Sequence, residues 1–313
     1  MSDLQAIANL RRQKVELEAL VNEASKDADV VSVTNFRSRL SVVKDDLEAL
    51  VARDAHVGEV AVLFDGSPVQ GTTAIDASFA AQAVTNFQGI VTRLFAASLK
   101  GQLASKGKIK GAGIAALNMR GLATGSFGFV FEEKDAHQSS VMKTPVREAL
   151  EKAASLFVEF TQEDDDDFLI EVDDLNPRVF NALAKFFRHL EKNAATLKTN
   201  FPDKAFSFDR ADIERAYKRI ADTNVKIEDV VWTGTLVGLS PIMRTFDFKK
   251  DGDDEIISGK FSHQVSQDYL ERIEAHDGIT LGDRFEAKIE IGTIRKPDGT
   301  ISTTHIVTDL ADV

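Results

Sequence analysis

Arg284-Phe285-Glu286-Ala287-Lys288-Ile289-Glu290-Ile291-Gly292-Thr293-Ile294-Arg295 begins by alternating apolar and charged side chains residue by residue. Successive side chains of a strand point to opposite faces, so the alternation predicts a strand with one buried and one wet face. The same period of two recurs at Val225 to Leu239, Arg244 to Lys249, Glu255 to Phe261 and Thr300 to Thr308. Asp251-Gly252 and Pro297-Asp298-Gly299 supply hairpin turns between these runs. A short helical stretch, Asp268 to Ile273 within Ser266 to Ala275, interrupts them.

Three strands, a helix and two strands is the order of elements in an OB-type barrel, with an SH3-like barrel as the nearest alternative. Residues 225–313 are therefore expected to form a small five-stranded β-barrel. Its first strand is long and bends at Gly234 and Gly238, where the absence of a side chain allows a sharp corner. Phe246 and Phe248 share one strand face and fill the barrel, while Trp232 anchors the first strand.

Upstream of the barrel, residues 136–224 are expected to be mainly helical. Thr144-Pro145 and Asn176-Pro177 each place a capping side chain before a proline at the first helical position, and Asp209 can cap a third helix. Nine of the 21 phenylalanines fall in this segment and are expected to supply core volume. Residues 56–135 read as a strand–helix–strand–strand α+β unit. Glu59 to Phe64 is stopped by Asp65-Gly66-Ser67-Pro68, Asp76 caps a helix through Phe79 to Leu99, and Ile114 to Arg120 and Ser126 to Glu132 follow as strands.

Residues 1–55 read as a helical hairpin. Val33, Phe36, Leu40, Val43, Leu47 and Leu50 are spaced 3-4-3-4-3, the seam of a coiled coil. Ile7, Leu10, Leu17 and Val21 continue that spacing if Lys14 takes one seam position. Two helices with one apolar stripe each form no core alone, so the seam is expected to serve docking or self-association. The expected fold class is thus α+β multidomain: N-terminal helical hairpin, mixed α/β middle with a mainly helical subdomain, and C-terminal barrel.

Charge and composition narrow the function. The chain of 313 residues carries 38 Lys+Arg against 50 Asp+Glu, a net charge of −12, and 225–313 alone holds ten basic and seventeen acidic side chains. Such a surface opposes a nucleic-acid groove and suits a protein partner. The absence of cysteine excludes disulfides, thiol nucleophiles and Cys-ligated metals. No apolar run approaches the ~20 residues that span a bilayer, and Met1-Ser2-Asp3-Leu4-Gln5 lacks a signal-peptide pattern. A cytoplasmic location away from membranes is expected.

The motifs that look like chemistry fail on inspection. Ala123-Thr124-Gly125-Ser126-Phe127-Gly128-Phe129-Val130 with Val141-Met142-Lys143 resembles a protein kinase's glycine-rich loop and its phosphate-pairing lysine. It departs at Ala123, where the first glycine belongs, and no His-Arg-Asp or Asp-Phe-Gly follows. A hairpin with close backbone approach is the expected structure. Asp247 to Ser258 mimics a calcium loop, but Lys249 and Ser258 stand where oxygen ligands are required, so a hairpin turn is expected. Glu163-Asp164-Asp165-Asp166-Asp167 is expected to be a solvated acidic linker. The six histidines are scattered singly, and Ser67, Ser126 and Ser240 lack a nucleophile elbow. No catalytic residue, metal ligand or cofactor is assigned.

Lys100, Lys106, Lys108 and Lys110 cluster in a glycine-rich loop without an intervening acid, a local anion-attracting patch. The ordering of the Asp65-Gly66-Ser67-Pro68-Val69 turn, the Ile75 to Phe79 helix start and Gly125-Ser126-Phe127-Gly128-Phe129 is similar to that of bacterial proteins without an assigned activity. The leading expectation is a non-catalytic interaction or assembly protein, a bacterial-type accessory or adaptor that works with a protein partner or as a homo-oligomer. The alternatives are a nucleic-acid-binding protein using the lysine loop and the barrel, and an enzyme whose site is dispersed or completed by a partner.

Overall fold

The structure is a computed structural model that describes residues 3–26, 29–54, 57–99, 103–104, 108–109, 111–123, 127–134, 142–240, 243–253, 255–262, 265 and 281–313. In chain order the elements are helices α1 (Asp3–Lys26) and α2 (Val30–Asp54), strands β1 (Glu59–Gly66), β2 (Val69–Gln70) and β3 (Ala74–Ile75), and helix α3 (Ala77–Ser98). Strands β4 (Leu117–Ala123) and β5 (Phe127–Glu133) precede helices α4 (Pro145–Thr161), α5 (Asp165–Asp174) and α6 (Pro177–Lys192). Strands β6 (Ala195–Asn200) and β7 (Ala205–Phe208) and helix α7 (Arg210–Asp222) lead into β8 (Asn224–Ser240), β9 (Thr245–Lys250), β10 (Ile256–Phe261), β11 (Arg284–Arg295) and β12 (Ile301–Asp312). The chain forms two compact units, one of residues 1–81, 114–154 and 192–210, the other of 82–113, 155–191 and 211–313.

The first unit is built on a five-stranded antiparallel sheet in the order β4-β5-β1-β6-β7. β1 is its centre. Glu59 through Phe64 are all buried, because a central strand covered on both faces shows no alternation. Gly66 ends β1 at φ +93°, and a Cβ there would stand 2.3 Å from the carbonyl oxygen of Ala194, so only glycine fits this turn. Asp76 caps α3 as expected, its Oδ1 accepting the Phe79 N–H at 2.7 Å. In the same way Thr144 Oγ1 accepts the Arg147 N–H at 3.1 Å at the start of α4.

β6 and β7 add two short strands, not foreseen from the sequence, to a segment 136–224 that is otherwise built of helices α4 to α7. In β6, Ala195, Leu197 and Thr199 are buried against Thr196, Lys198 and Asn200 on the other face, and the strand pairs with β1 from Ala61↔Asn200 to Gly66↔Ala195. The alternation is present in the sequence, but it is only three pairs long and stands between strong helical patterns.

The second unit holds a phenylalanine-rich helical layer and the barrel. Phe157 stacks on Phe186 with ring centroids 5.4 Å apart, Phe160 stacks on Phe187 at 6.1 Å, and Phe168 meets Phe160 edge-on at 5.0 Å. All five are fully buried, which is worth about 2–3 kcal/mol for each ring removed from water. Asn176 starts α6 with its Oδ1 accepting the Arg178 N–H at 2.9 Å, while its amide donates to the Leu103 carbonyl at 2.7 Å.

Glu163 to Asp167 is not a linker. Asp164 caps α5, its side chain accepting the Asp166 N–H at 2.9 Å, and the acids that follow sit in the first turn, where a helix favours negative charge. Two arginines of α7 close over this turn. Arg215 donates to the Thr161 carbonyl, and Arg219, only 6% exposed, donates to Phe160, Gln162 and Asp164 carbonyls at 3.1, 2.8 and 3.0 Å and pairs with Asp165.

The barrel is closed in the order β10-β12-β11-β8-β9. Every pairing is antiparallel except β10 with β12, which run parallel at Lys260↔Ile306 and Phe261↔Val307. Phe246, Phe248, Phe261, Phe285, Ala287 and Ile289 fill its interior. β8 bends through an irregularity between Leu236 and Gly238, and a Cβ on Gly234 would lie 2.2 Å from the Lys249 carbonyl oxygen. The hairpin glycines 252 and 299 take φ of +79° and +86°. Asp247 and Ser258, the ends of the calcium-loop mimic, are a cross-strand pair joined by a hydrogen bond of 2.5 Å. Lys296 is buried on the barrel flank and donates to the Leu169 carbonyl of α5 at 3.2 Å. The expected helix at 266–275 lies outside the described residues.

Candidate interaction surfaces

α1 and α2 form an antiparallel hairpin whose two helices pack along each other. Asp29 opens α2: its carbonyl oxygen accepts the Val33 N–H and its Oδ1 accepts the Ser32 N–H, both near 3 Å. Hydrogen bonds from the Ser32 side chain and then from its backbone N–H hold the Asp29 carboxyl below its ordinary range. At the other end α1 is anchored, with Ile7 1% exposed and Arg11 donating to the Pro202 carbonyl.

Beyond that anchor the hairpin is thinly covered. Val33, Phe36, Leu40, Val43, Leu47 and Leu50 are each half-buried, as are Leu10, Lys14, Leu17 and Val21 on α1. Among the described side chains of α2 none is buried, and from Arg11 to the end of α1 only Ala24 is. One face opens as a groove of about 440 Å³ lined by Glu16, Leu17, Leu20, Arg39, Val42 and Val43, among others. Leu20 is 39% and Val42 57% exposed, and Val31 on the same face of α2 is 72% exposed. Lys44 and Glu18 form an ion pair of 3.4 Å on the outside, where such pairs contribute little.

A second, smaller cleft of about 230 Å³ lies where the start of α6 meets β10 and β12, lined by Asn176, Pro177, Lys260, Thr304 and His305, among others. Pro177 and Thr304 press on Gly292, where a Cβ would come within 2.8 Å of both. Burial pushes the His305 imidazole below its ordinary value, partly opposed by its hydrogen bond to the Ser258 backbone and by the charge of Glu255. Its ring lies 6.1 Å from that of Trp232, on whose other neighbour, Lys250, the ammonium stands 5.2 Å from the indole centroid. A neutral imidazole beside threonine hydroxyls and one exposed lysine is a polar cleft that can accept and donate hydrogen bonds. Sequence reasoning passed over His305 because it stands alone in the chain; its neighbours come from β10 and α6.

A third feature left a single local signal in the sequence. Arg147 is fully buried in the first unit, 2.5 Å from Asp203 and 3.0 Å from Glu151, with its guanidinium carbon 4.9 Å from the centroid of Phe201. Burial pushes the Glu151 and Asp203 carboxyls up, but hydrogen bonds from Lys143 and Arg147 respectively, with the charges of Arg147 and Lys204, hold both below their ordinary range. This is an ion-pair network, and Glu151 at the fourth place after Arg147 was its one local signal.

Of the anion patch, Lys108 is exposed, and Lys100, Lys106 and Lys110 lie outside the described residues. The same holds for Ser126 and for four histidines, His56, His137, His263 and His276. Of the kinase-like segment, Ala123 lies on β4 and Phe127 to Val130 on β5, two antiparallel strands, and Lys143 pairs with Glu151 at 2.7 Å. Among the described residues no three His, Asp or Glu side chains are grouped to hold a metal ion. Compared with known proteins, the chain matches no family model, no curated protein and no solved structure.

Proposed function

We propose that this chain is a non-catalytic interaction and assembly protein, an accessory or adaptor whose hairpin receives a protein partner. The observation that carries the reading is α2 itself, a helix of 25 residues without one buried side chain among those described. Isolated helices draw little stability from propensity; burial of an apolar face holds them. A seam that stays half-exposed along its length, beside a groove bearing Leu20 and Val42, gains most when further helices cover it.

The barrel is proposed to be of the OB type. What supports this over an SH3-like barrel is its order, first-second-third-fifth-fourth and back to the first, with third and fifth parallel. Its ten basic against seventeen acidic residues oppose the electrostatics of nucleic-acid binding and favour a protein contact. A cytoplasmic place is part of the proposal; among the described residues no helix is long and apolar enough to cross a membrane.

Hydrogen exchange tests the assembly reading without knowledge of the partner. At a concentration where the full chain is monomeric, α2 amides are expected to exchange at least a hundredfold faster than β1 amides. Equal protection of α2 and β1 in the monomer would mean the hairpin needs no cover, and the reading would fall.

A further inference from the structure

We infer that the occupant of the hairpin groove is a second copy of this chain, laid face to face about a two-fold axis so that helices in contact run antiparallel. The inference rests on the assembly reading above and names its partner.

The argument is the order of charges along the open face. On α1, Arg12, Glu16, Leu20 and Glu23 are spaced 4-4-3, so they share the face that carries Leu20 into the groove. On α2, Arg39, Val42 and Asp46 are spaced 3-4 and share the face of Val42. All of these side chains are exposed. Among the described side chains of this face the base comes first in both helices and an acid follows, with the exposed apolar residue within the charged run.

Two-fold axes that lay this face on its copy run either along the helices or across them. An axis along the helices places α1 over the copy's α2; an axis across them places α1 over the copy's α1 and α2 over its α2. In each case the helices that meet run in opposite directions. Arg12 and Arg39 therefore fall toward Glu16, Glu23 and Asp46 of the other copy, and Leu20 and Val42 fall at the centre. With the axis across the helices base meets acid at both ends, and an isologous contact repeats each pair twice. A parallel arrangement would set base on base and acid on acid, which is unfavourable. The product is a four-helix bundle in which the half-buried seam residues lie near its middle.

The test is made on the full chain by light scattering, with circular dichroism to show that each variant keeps its helices. The wild type is expected to have twice the 34.3 kDa chain mass, with an association that weakens as salt rises. Arg12→Glu/Arg39→Glu makes these charged positions wholly acidic, and Glu16→Lys/Asp46→Lys leaves Glu23 as the one acid among them. Each variant alone is expected to associate at least tenfold more weakly. Mixed one to one, they are expected to form a heterodimer as tight as the wild-type dimer. A wild type that stays monomeric at every accessible concentration would overturn the second copy, while fast α2 exchange in that monomer would leave the assembly reading standing. A dimer indifferent to both double variants, or two variants that fail to pair, would equally overturn it.

Discussion

Arg219 places its guanidinium where α4 ends and α5 begins. The last carbonyls of a helix lack partners within it, and here a buried cation supplies donors to Phe160, Gln162 and Asp164 while Nε pairs with Asp165 at 2.9 Å. The ring of Phe168 lies 5.2 Å from the same guanidinium. A planar fork with five donors can serve these acceptors together, whereas an ammonium cannot. Arg219→Met is expected to lower the unfolding free energy by about 1–3 kcal/mol, the cost of leaving carbonyl acceptors without their buried donor, since Asp165 is exposed and its ion pair adds little. Arg219→Lys is expected to recover less than half of that. Urea unfolding followed through Trp232, the single tryptophan, reads both values. A midpoint unchanged in the methionine variant would show that the acidic turn holds itself.

At the scale of elements, the barrel and hairpin were legible because their signals are local and repeated. Period two ran through all five barrel strands, and the six seam positions of α2 are half-buried with exposed residues between them. What stayed hidden depends on partners far along the chain. β6 draws its place from β1, and α5, capped by its own Asp164, is held by arginines on α7. The Arg147 network and the His305 cleft were illegible for the same reason. Close backbone approach explains Gly128 of β5: a Cβ there would stand 2.3 Å from the Val62 carbonyl oxygen and 2.6 Å from Leu63 Cα. Gly128→Ala is accordingly expected to cost about 1–3 kcal/mol by overpacking β5 against β1. Gly121→Ala, whose Cβ meets nothing within 4 Å, is expected to be neutral within about 0.5 kcal/mol. Denaturant midpoints of the two variants separate these cases, and equal losses would mean the close approach does not set the choice of glycine.

Over the whole molecule, acid should reach the two units through different groups. The second unit holds His305, whose imidazole is pushed below the ordinary 6.5 by burial. The folded state therefore binds that proton less readily than the unfolded chain does. The stabilising contribution is complete above 6.5 and is lost as pH falls through the lower folded value. The first unit holds Glu151 and Asp203, where burial acts upward but the Arg147 network wins, so both lie below their ordinary 4.5 and 3.8. Their contribution is complete above those values and is lost only as pH falls through the lower folded ones. Trp232 fluorescence is thus expected to report a loss of stability beginning below pH 6.5, while exchange of β1 amides holds until below the carboxylate range. His305→Gln is expected to remove the earlier loss and leave the β1 profile unchanged. Arg147→Met, which releases the two carboxyls, is expected to flatten the later one at the cost of lower stability throughout. Wild-type profiles that fall together at both probes, unaltered in shape by either substitution, would show that the acid sensitivity lies in other groups.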